Sequence, residues 1–349
     1  MRSSYKKEDV QILLKDITGM IHGQTTEERE KLIQSGIHYC EMLPIEYVPS
    51  EKYMEVYRHS LATFSKPVAD AVAVLSEKII NAKGKSVVLV SLARAGIPIG
   101  ILIKHYIKRK WKIDVPHYSV SIIRGRGIDG NAIKYILARH SASDIQFVDG
   151  WIGKGAICSE LASALSEYDG ISAELAVISD PANITELCGT HEDILIPSSC
   201  LNSTVSGLIS RTVLRDDLIG KDDFHGAVFY ENLLESDLSY SFLDSIEKEF
   251  SDSASCDFVS ATGNGRDEVL KIASHFGIDD INLIKPGIGE ATRVLLRRLP
   301  WKILVDKRFA SSPQLAHLLK LAEEKGVPVE EYNLEHYKCC GIIKKLADA

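Results

Sequence analysis

From Phe147 to Gly155 the chain reads FVDGWIGKG, a hydrophobic run that ends in one acid and then surrounds a lysine with three glycines. Small residues at such a turn let backbone N–H groups wrap a phosphate, and a following helix turns its positive end toward the anion. Gly153, Gly155 and Ala156 are the small residues, Lys154 adds a point charge, and Asp149 is placed to accept hydrogen bonds from ribose hydroxyls. A nucleotide-triphosphate loop needs wider glycine spacing and a Ser or Thr after the lysine, where Gly155 stands, so that reading fails. GRGIDG, Gly125 to Gly130, matches the dinucleotide pattern GxGxxG, with Asp149 near the offset expected for a ribose-binding acid. Arg124 and Arg126 crowd that turn where a backbone should approach a pyrophosphate, and the reading leaves two other loops idle.

A mononucleotide reading uses all three loops. SLARAGIPIG, Ser91 to Gly100, is a second strand–turn–helix in which Ala93, Arg94, Ala95 and Gly96 suit another anionic group. Arg124 and Arg126 are two cations that close over both sites. One acid, two anion loops and a basic lid suit a phosphorylated sugar that bears pyrophosphate. Each glycine-rich turn is equally a tight connection, and Trp151 reads as packing. A thiol chemistry is also open. Cys200 follows the apolar run EDILIPSS as a nucleophile at a strand end would, with His225 and His191 as candidate bases. Buried, inert cysteine is the competing reading, also for the adjacent Cys339 and Cys340. Asp180 in ISDPA is read as a base contact or as a turn residue.

The elements that must hold these residues alternate between short apolar strands and helices, which predicts an α/β fold with a mostly parallel sheet flanked by helices. KSVVLV, VPHYSVSII, DIQFV, ISAELAVIS and EDILIPSSC read as strands, and helical spacing marks a helix over Lys66–Ala82. The first fifty residues read as polar helix and irregular chain. SDSASC, Ser251 to Cys256, reads as a linker between a first domain, 1–250, and a smaller α/β unit, 257–349. From Ile281 onward twelve Lys/Arg face eight Asp/Glu, against a net charge of −7 for all 349 residues. A basic tail on an acidic body suits an anionic partner or a solvated helix face. Seven cysteines without CxxC spacing speak against structural zinc or a disulfide framework. No apolar run approaches the roughly twenty residues of a membrane helix, and the N-terminus lacks a secretory core, so the cytoplasm is the expected compartment.

At these loops the sequence resembles the type I phosphoribosyltransferases, whose loops come in the same order. The combination HYCEMLPIEY, SLARAGIPIG, SIIRGRGID, FVDGWIGKG and IPSSCLNSTVSGLISRTV looks more closely like one divergent branch, bacterial proteins linked to tellurite-resistance stress operons and also labelled StiP-type cysteine proteases. The resemblance covers nearly the whole chain and includes a C-terminal Pelota-like RNA-binding module. It implies a stress-response enzyme that binds phosphoribosyl pyrophosphate (PRPP) with Mg²⁺ and passes the phosphoribosyl group to an unidentified base-like acceptor. Asp149 would orient ribose and Mg²⁺, Gly150 and Gly153 to Ala156 would hold the 5′-phosphate, Ala93 to Gly96 the pyrophosphate, and Arg124 and Arg126 would close during catalysis. Gly150 replaces the family's second acid, and Lys154-Gly155 its Thr-Gly. In KPGIGEATRVLLRR, Gly287, Gly289, Glu290 and Arg293 match a turn that meets structured RNA. The alternatives implied are a cysteine peptidase centred on Cys200 and a non-catalytic nucleotide- or RNA-binding protein. The residues leave self-association open.

Overall fold

The computed structural model describes residues 1–253 and 263–344. Its centre is an all-parallel sheet of six strands: β1 (Gln11–Ile12), β2 (Val88–Leu92), β3 (His117–Val120), β4 (Ile145–Trp151), β5 (Leu175–Ser179) and β6 (Cys188–Thr190). They lie in the order β1-β3-β2-β4-β5-β6. Strand direction of growth reverses between β2 and β4, and in parallel sheets the crevice at such a switch point is where ligands sit. The loops SLARAG and DGWIGKG leave the carboxyl ends of those two strands.

Both faces of the sheet are covered, which is why its strands read as near-continuous apolar runs. On one face Leu89 and Val148 pack against α1 (Glu51–Lys83) and α2 (Gly96–Trp111). On the other, Val88, Val90 and Phe147 meet α3 (Gly130–Leu137) and α4 (Ala156–Leu165). Helix α1 starts well before the expected Lys66. Val56, Ser60, Phe64, Val68 and Val72 are buried along one i, i+4 stripe that runs straight through Pro67. A proline suits a helix start, but here packing of the stripe outweighs the one backbone bond it removes. EDILIPSSC is not a strand: its end is a 3₁₀ turn, Pro197–Cys200, and the sheet's last strand is the preceding Cys188–Thr190. The first fifty residues carry β1 and a short helix, Thr26–Gln34, closed by a capping box between Thr25 and Glu28.

After α5 (Ser239–Glu247) the chain enters the C-terminal unit. The expected linker ends, and the expected start at residue 257 lies, outside the described residues. The unit comprises α6 (Gly265–Phe276), β7 (Ile284–Pro286), α7 (Ile288–Arg297), β8 (Pro300–Val305), α8 (Ala316–Glu324), β9 (Val329–Glu331) and β10 (Cys339–Ile343). Its four-stranded mixed sheet has the order β7-β10-β8-β9. The smaller α/β module expected at this end is therefore present, but it shares its core with the first domain. Ile288, Ala291 and Leu295 join the cluster that holds Ile194 and Leu195, and Val269, Ile284 and Ile342 join the one on the opposite face. Among the described residues no helix is long and apolar enough to cross a membrane.

Candidate functional site

Helix α2 starts against β4 so closely that a Cβ on Gly96 would stand 2.8 Å from the Val148 carbonyl oxygen. That contact brings Ala95 beside Asp149, and both face a cavity of about 310 Å³. Its other walls include Trp151, Lys154 and Arg124 from the first domain and Lys285 and Arg293 from the C-terminal module. One oxygen of Asp149 accepts the Gly150 N–H at 2.8 Å. Burial pushes this carboxyl up to about 6, against the pull of that bond and of Arg293.

The loops do not all serve the cavity as expected. Arg94 turns away, donating to Glu46 Oε1 at 2.9 Å and to the Ile209 carbonyl at 2.7 Å. Arg126 pairs with Glu41 at 3.2 Å, whereas Arg124 stays at the cavity and donates to Asn282 Oδ1 at 3.0 Å. The GRGIDG segment forms an antiparallel hairpin, Ile122–Ile123 with Gly127–Ile128, whose Asp129 then caps α3. Lys154 donates to the carbonyls of Ile281 at 2.6 Å and Ile284 at 3.2 Å, so it clasps the C-terminal module. Burial first, then Lys285, lowers its ammonium to about 8. The Tyr337 hydroxyl fastens the same loop from the module's side, donating to the Gly153 carbonyl at 2.7 Å.

The expected RNA turn also faces inward. Gly287 has φ +89° and precedes α7, whose first N–H, on Ile288, donates to Asp193 Oδ1 at 2.9 Å. Asp193 Oδ2 accepts the Lys338 N–H at 2.9 Å. Gly289 lies against Ser199 and Trp151, while Glu290 and Arg293 pair at 3.3 Å on the cavity wall. These four residues lie at the interdomain seam, where a first-domain carboxylate takes the anion position at the helix start.

Of the thiols, Cys200 is fully buried, its Sγ 3.7 Å from Ser60 Oγ, and burial pushes it up to about 11. Of its two candidate bases, His225 bonds Ser121 Oγ at 2.9 Å and His191 lies at Cys188. The Cys200–His225 pair is therefore not formed in this structure. Cys158 is half-buried at the cavity, and burial, with Asp180 and Asp149, pushes it up to about 11. His38 Nδ1 lies 2.9 Å from Cys40 Sγ, but the same nitrogen accepts the Cys40 N–H and so caps a 3₁₀ turn. Cys188 is different. Its Sγ lies 3.3 Å from His191 Nε2, and His191 Nδ1 lies 2.8 Å from the Asp180 carbonyl oxygen. A carbonyl only accepts, so Nδ1 carries the hydrogen and Nε2 presents its lone pair to the thiol. Asp180 and His191 immediately follow β5 and β6, at the sheet's carboxyl edge. Asp180 Oδ2 accepts the N–H groups of Ile184 and Thr185, which pins the loop that aims its carbonyl. Three residues of β6 are too few for a periodic signal; the Cys-x-x-His spacing was the one trace of this pair in the sequence.

Comparison with known proteins agrees with the thiol more than with the sugar phosphate. The family described as "tellurite-like stress resistance cysteine protease StiP" matches residues 3–247. The chain belongs to this family. The PELOTA RNA binding domain matches residues 263–345. The cysteine protease StiP of Acinetobacter baylyi is 35% identical over 98% of this chain and 94% of its own. Among solved structures, a hypoxanthine-guanine phosphoribosyltransferase of Bacillus anthracis shares 14% identity and a TM-score of 0.26 over 35% of this chain and 71% of its own. A hypoxanthine-guanine-xanthine phosphoribosyltransferase shares 13% and a TM-score of 0.26 over 49% and 93%. Likeness that slight carries no argument about chemistry. The expectation of PRPP transfer is thereby corrected: the StiP relative aligned across nearly the whole chain is named for proteolysis. Within the site, Arg94 is turned to Glu46 and Lys154 donates to backbone carbonyls of the C-terminal module.

Proposed function

We propose that this StiP family member is a thiol-dependent peptidase with Cys188 as nucleophile, His191 as base and Asp180 as the group that orients the ring. The observation that carries the reading is the placement of His191, with Nδ1 at the Asp180 carbonyl and Nε2 toward the sulfur. A thiol, a base in reach and a third group behind the base form the pattern of nucleophilic catalysis. Nε2 takes the thiol proton, and the sulfur attacks the peptide carbonyl carbon. The C–N bond then breaks as the amine regains the proton from the imidazolium. Water hydrolyses the resulting thioester, releasing a carboxylic acid and restoring the thiol. The StiP relative's name supports the class of reaction. Cys188 is covered in this state, so substrate reaches the sulfur only after the site opens.

The test is alkylation of the full chain by iodoacetamide with site-resolved mass spectrometry, beside turnover of casein. Cys188 is expected to label ahead of Cys200, more slowly in His191→Gln, and Cys188→Ser is expected to lose casein turnover by about 10³-fold or more. Selective labelling at Cys200, or turnover that survives Cys188→Ser, would overturn the assignment. RNA is the partner proposed for the C-terminal module, on the strength of its family match. Retention of labelled structured RNA by the full chain tests it.

A further inference from the structure

A separate cavity lies where the stretch IEYVPS, Ile45 to Ser50, runs into α1. Its volume is about 270 Å³, and Tyr53, Leu201, Thr204 and Arg297 stand in its walls. Polar groups there lack the partners that burial demands. Thr204 is 2% exposed, yet its Oγ1 has no hydrogen-bond partner among the described residues. The Arg297 guanidinium donates to neutral oxygens alone, Asn202 Oδ1 at 2.7 Å and the Cys200 and Ser199 carbonyls at 2.9 and 3.4 Å. Its Nε is likewise without a partner. Burial, then the charges of Arg293 and Arg94, lowers Arg297 to about 10, so it stays a cation at neutral pH. Glu46, on the same wall, is already matched: Oε1 accepts from Arg94 at 2.9 Å and Oε2 from the Ser203 hydroxyl at 3.1 Å. The start of α1 adds to the positive potential. Ser50 is its N-cap but makes no side-chain cap bond, so the first N–H groups of a 33-residue helix are left to the cavity wall that Ser50 and Tyr53 form.

Charge and shape select the ligand. A buried cation and an unserved hydroxyl are both relieved by an anion that accepts hydrogen bonds. One unmatched positive charge suits a monoanion, whereas a phosphate dianion would bring its second charge up against Glu46. The planar fork of a guanidinium fits a carboxylate. Ile45, Tyr47 and Val48 are exposed large apolar residues along the same rim, with Tyr47 71% exposed. The volume is just under the usual range of small-molecule sites and holds on the order of two amino-acid residues.

We infer that this cavity binds the free C-terminal carboxylate of a peptide whose last residue is apolar. Arg297, Thr204 and the start of α1 take the carboxylate, and Tyr47 and Val48 take the side chain. The site docks the peptide and breaks no bond. Cys188 is remote from it: the neighbouring Gly189 packs on the Ala71 carbonyl, about twenty residues along α1 from Glu51, or about 30 Å of helix. Docking therefore stands whether or not Cys188 is the nucleophile.

The test is fluorescence anisotropy at pH 7 on the full chain, with an N-terminally fluorescein-labelled hexapeptide ending in leucine. The free acid is expected to bind at one site, and the same peptide with a C-terminal amide at least ten-fold more weakly. Arg297→Gln is expected to weaken the acid by roughly 10- to 100-fold, the scale of one charge-assisted bond. Arg297→Lys keeps the charge and should lose less, and Tyr47→Ala, at an exposed position, should weaken binding several-fold without touching the fold. Cys188→Ser and Lys320→Gln, on the exposed face of α8, are expected to leave the affinity unchanged. Equal affinity for acid and amide, affinity untouched by both Arg297→Gln and Tyr47→Ala, or no binding by the folded wild type would each overturn the inference. So would displacement of the peptide by inorganic phosphate at lower concentration than by N-acetyl-leucine, or loss of binding in Cys188→Ser.

Discussion

Single residues here are tuned by what the fold sets around them. His105 lies between two acids, with Nδ1 2.7 Å from Glu247 and Nε2 2.8 Å from Asp9. Burial alone would lower its pKa, but the two bonds outweigh burial and hold the imidazolium to about 9. A folded value above the unfolded 6.5 stabilises the protein fully below about pH 6.5, and that gain is lost as the pH rises through 9. The stake is at most ~3 kcal/mol. The melting temperature should therefore fall between pH 7 and pH 9.5, and His105→Gln should flatten that part of the profile. An unchanged slope in the variant would show that His105 is not the group responsible. The same dependence on surroundings separates the cysteines. Cys200 had the more suggestive sequence context, yet the fold surrounds it with apolar groups and Ser60, while Cys188 received an oriented histidine.

At the scale of elements, the start of α7 depends on a side chain from a distant part of the chain. Asp193 accepts two buried N–H groups, from Ile288 and from Lys338, and so joins a first-domain loop to both α7 and β10. Asp193→Ala leaves both donors buried without an acceptor and should cost about 2–4 kcal/mol, read as a lower denaturant midpoint. Asp193→Asn keeps one acceptor oxygen and should cost less than the alanine. Equal midpoints for wild type and alanine variant would remove the cap from the account. The glycine turn itself was legible, since Gly-x-Gly before an amphipathic basic run marks a helix start. Its inward direction was not, because the partner lies almost a hundred positions away in the chain. Strands β2, β4 and β5 were equally legible as apolar runs, being covered on both faces. Strand β6 was not, because its three residues hold no pattern and Gly189 gives way to close packing against α1.

For the whole molecule, the two parts behave as one core. Leu295 and Ile288 are fully buried in the cluster that also contains Leu195 and Ile196, and Tyr337 and Lys154 cross the seam with hydrogen bonds. Unfolding should accordingly be one cooperative transition, with Trp111 in the first domain and Trp301 in the C-terminal module reporting the same midpoint. Leu295→Ala should shift both reporters together, by about 2–5 kcal/mol. Two separated transitions, or a shift at Trp301 alone, would mean that the module folds by itself. The sequence suggested such independence through its basic tail and polar linker, features of the surface that carry no record of a shared interior.

By itself the sequence determined the α/β class, the parallel arrangement, the loops at the strand ends and the family, because apolar periodicity and turn residues are local and the family is carried by ordered motifs. Only the tertiary structure decided what those motifs face. It put Asp149, Trp151, Lys285 and Arg293 around one cavity, turned Arg94 toward Glu46, closed the glycine turn with Asp193, and paired Cys188 with His191. Each outcome depends on which buried charges and N–H groups meet across the folded chain. Such meetings follow from packing between distant segments, and a linear pattern does not encode them.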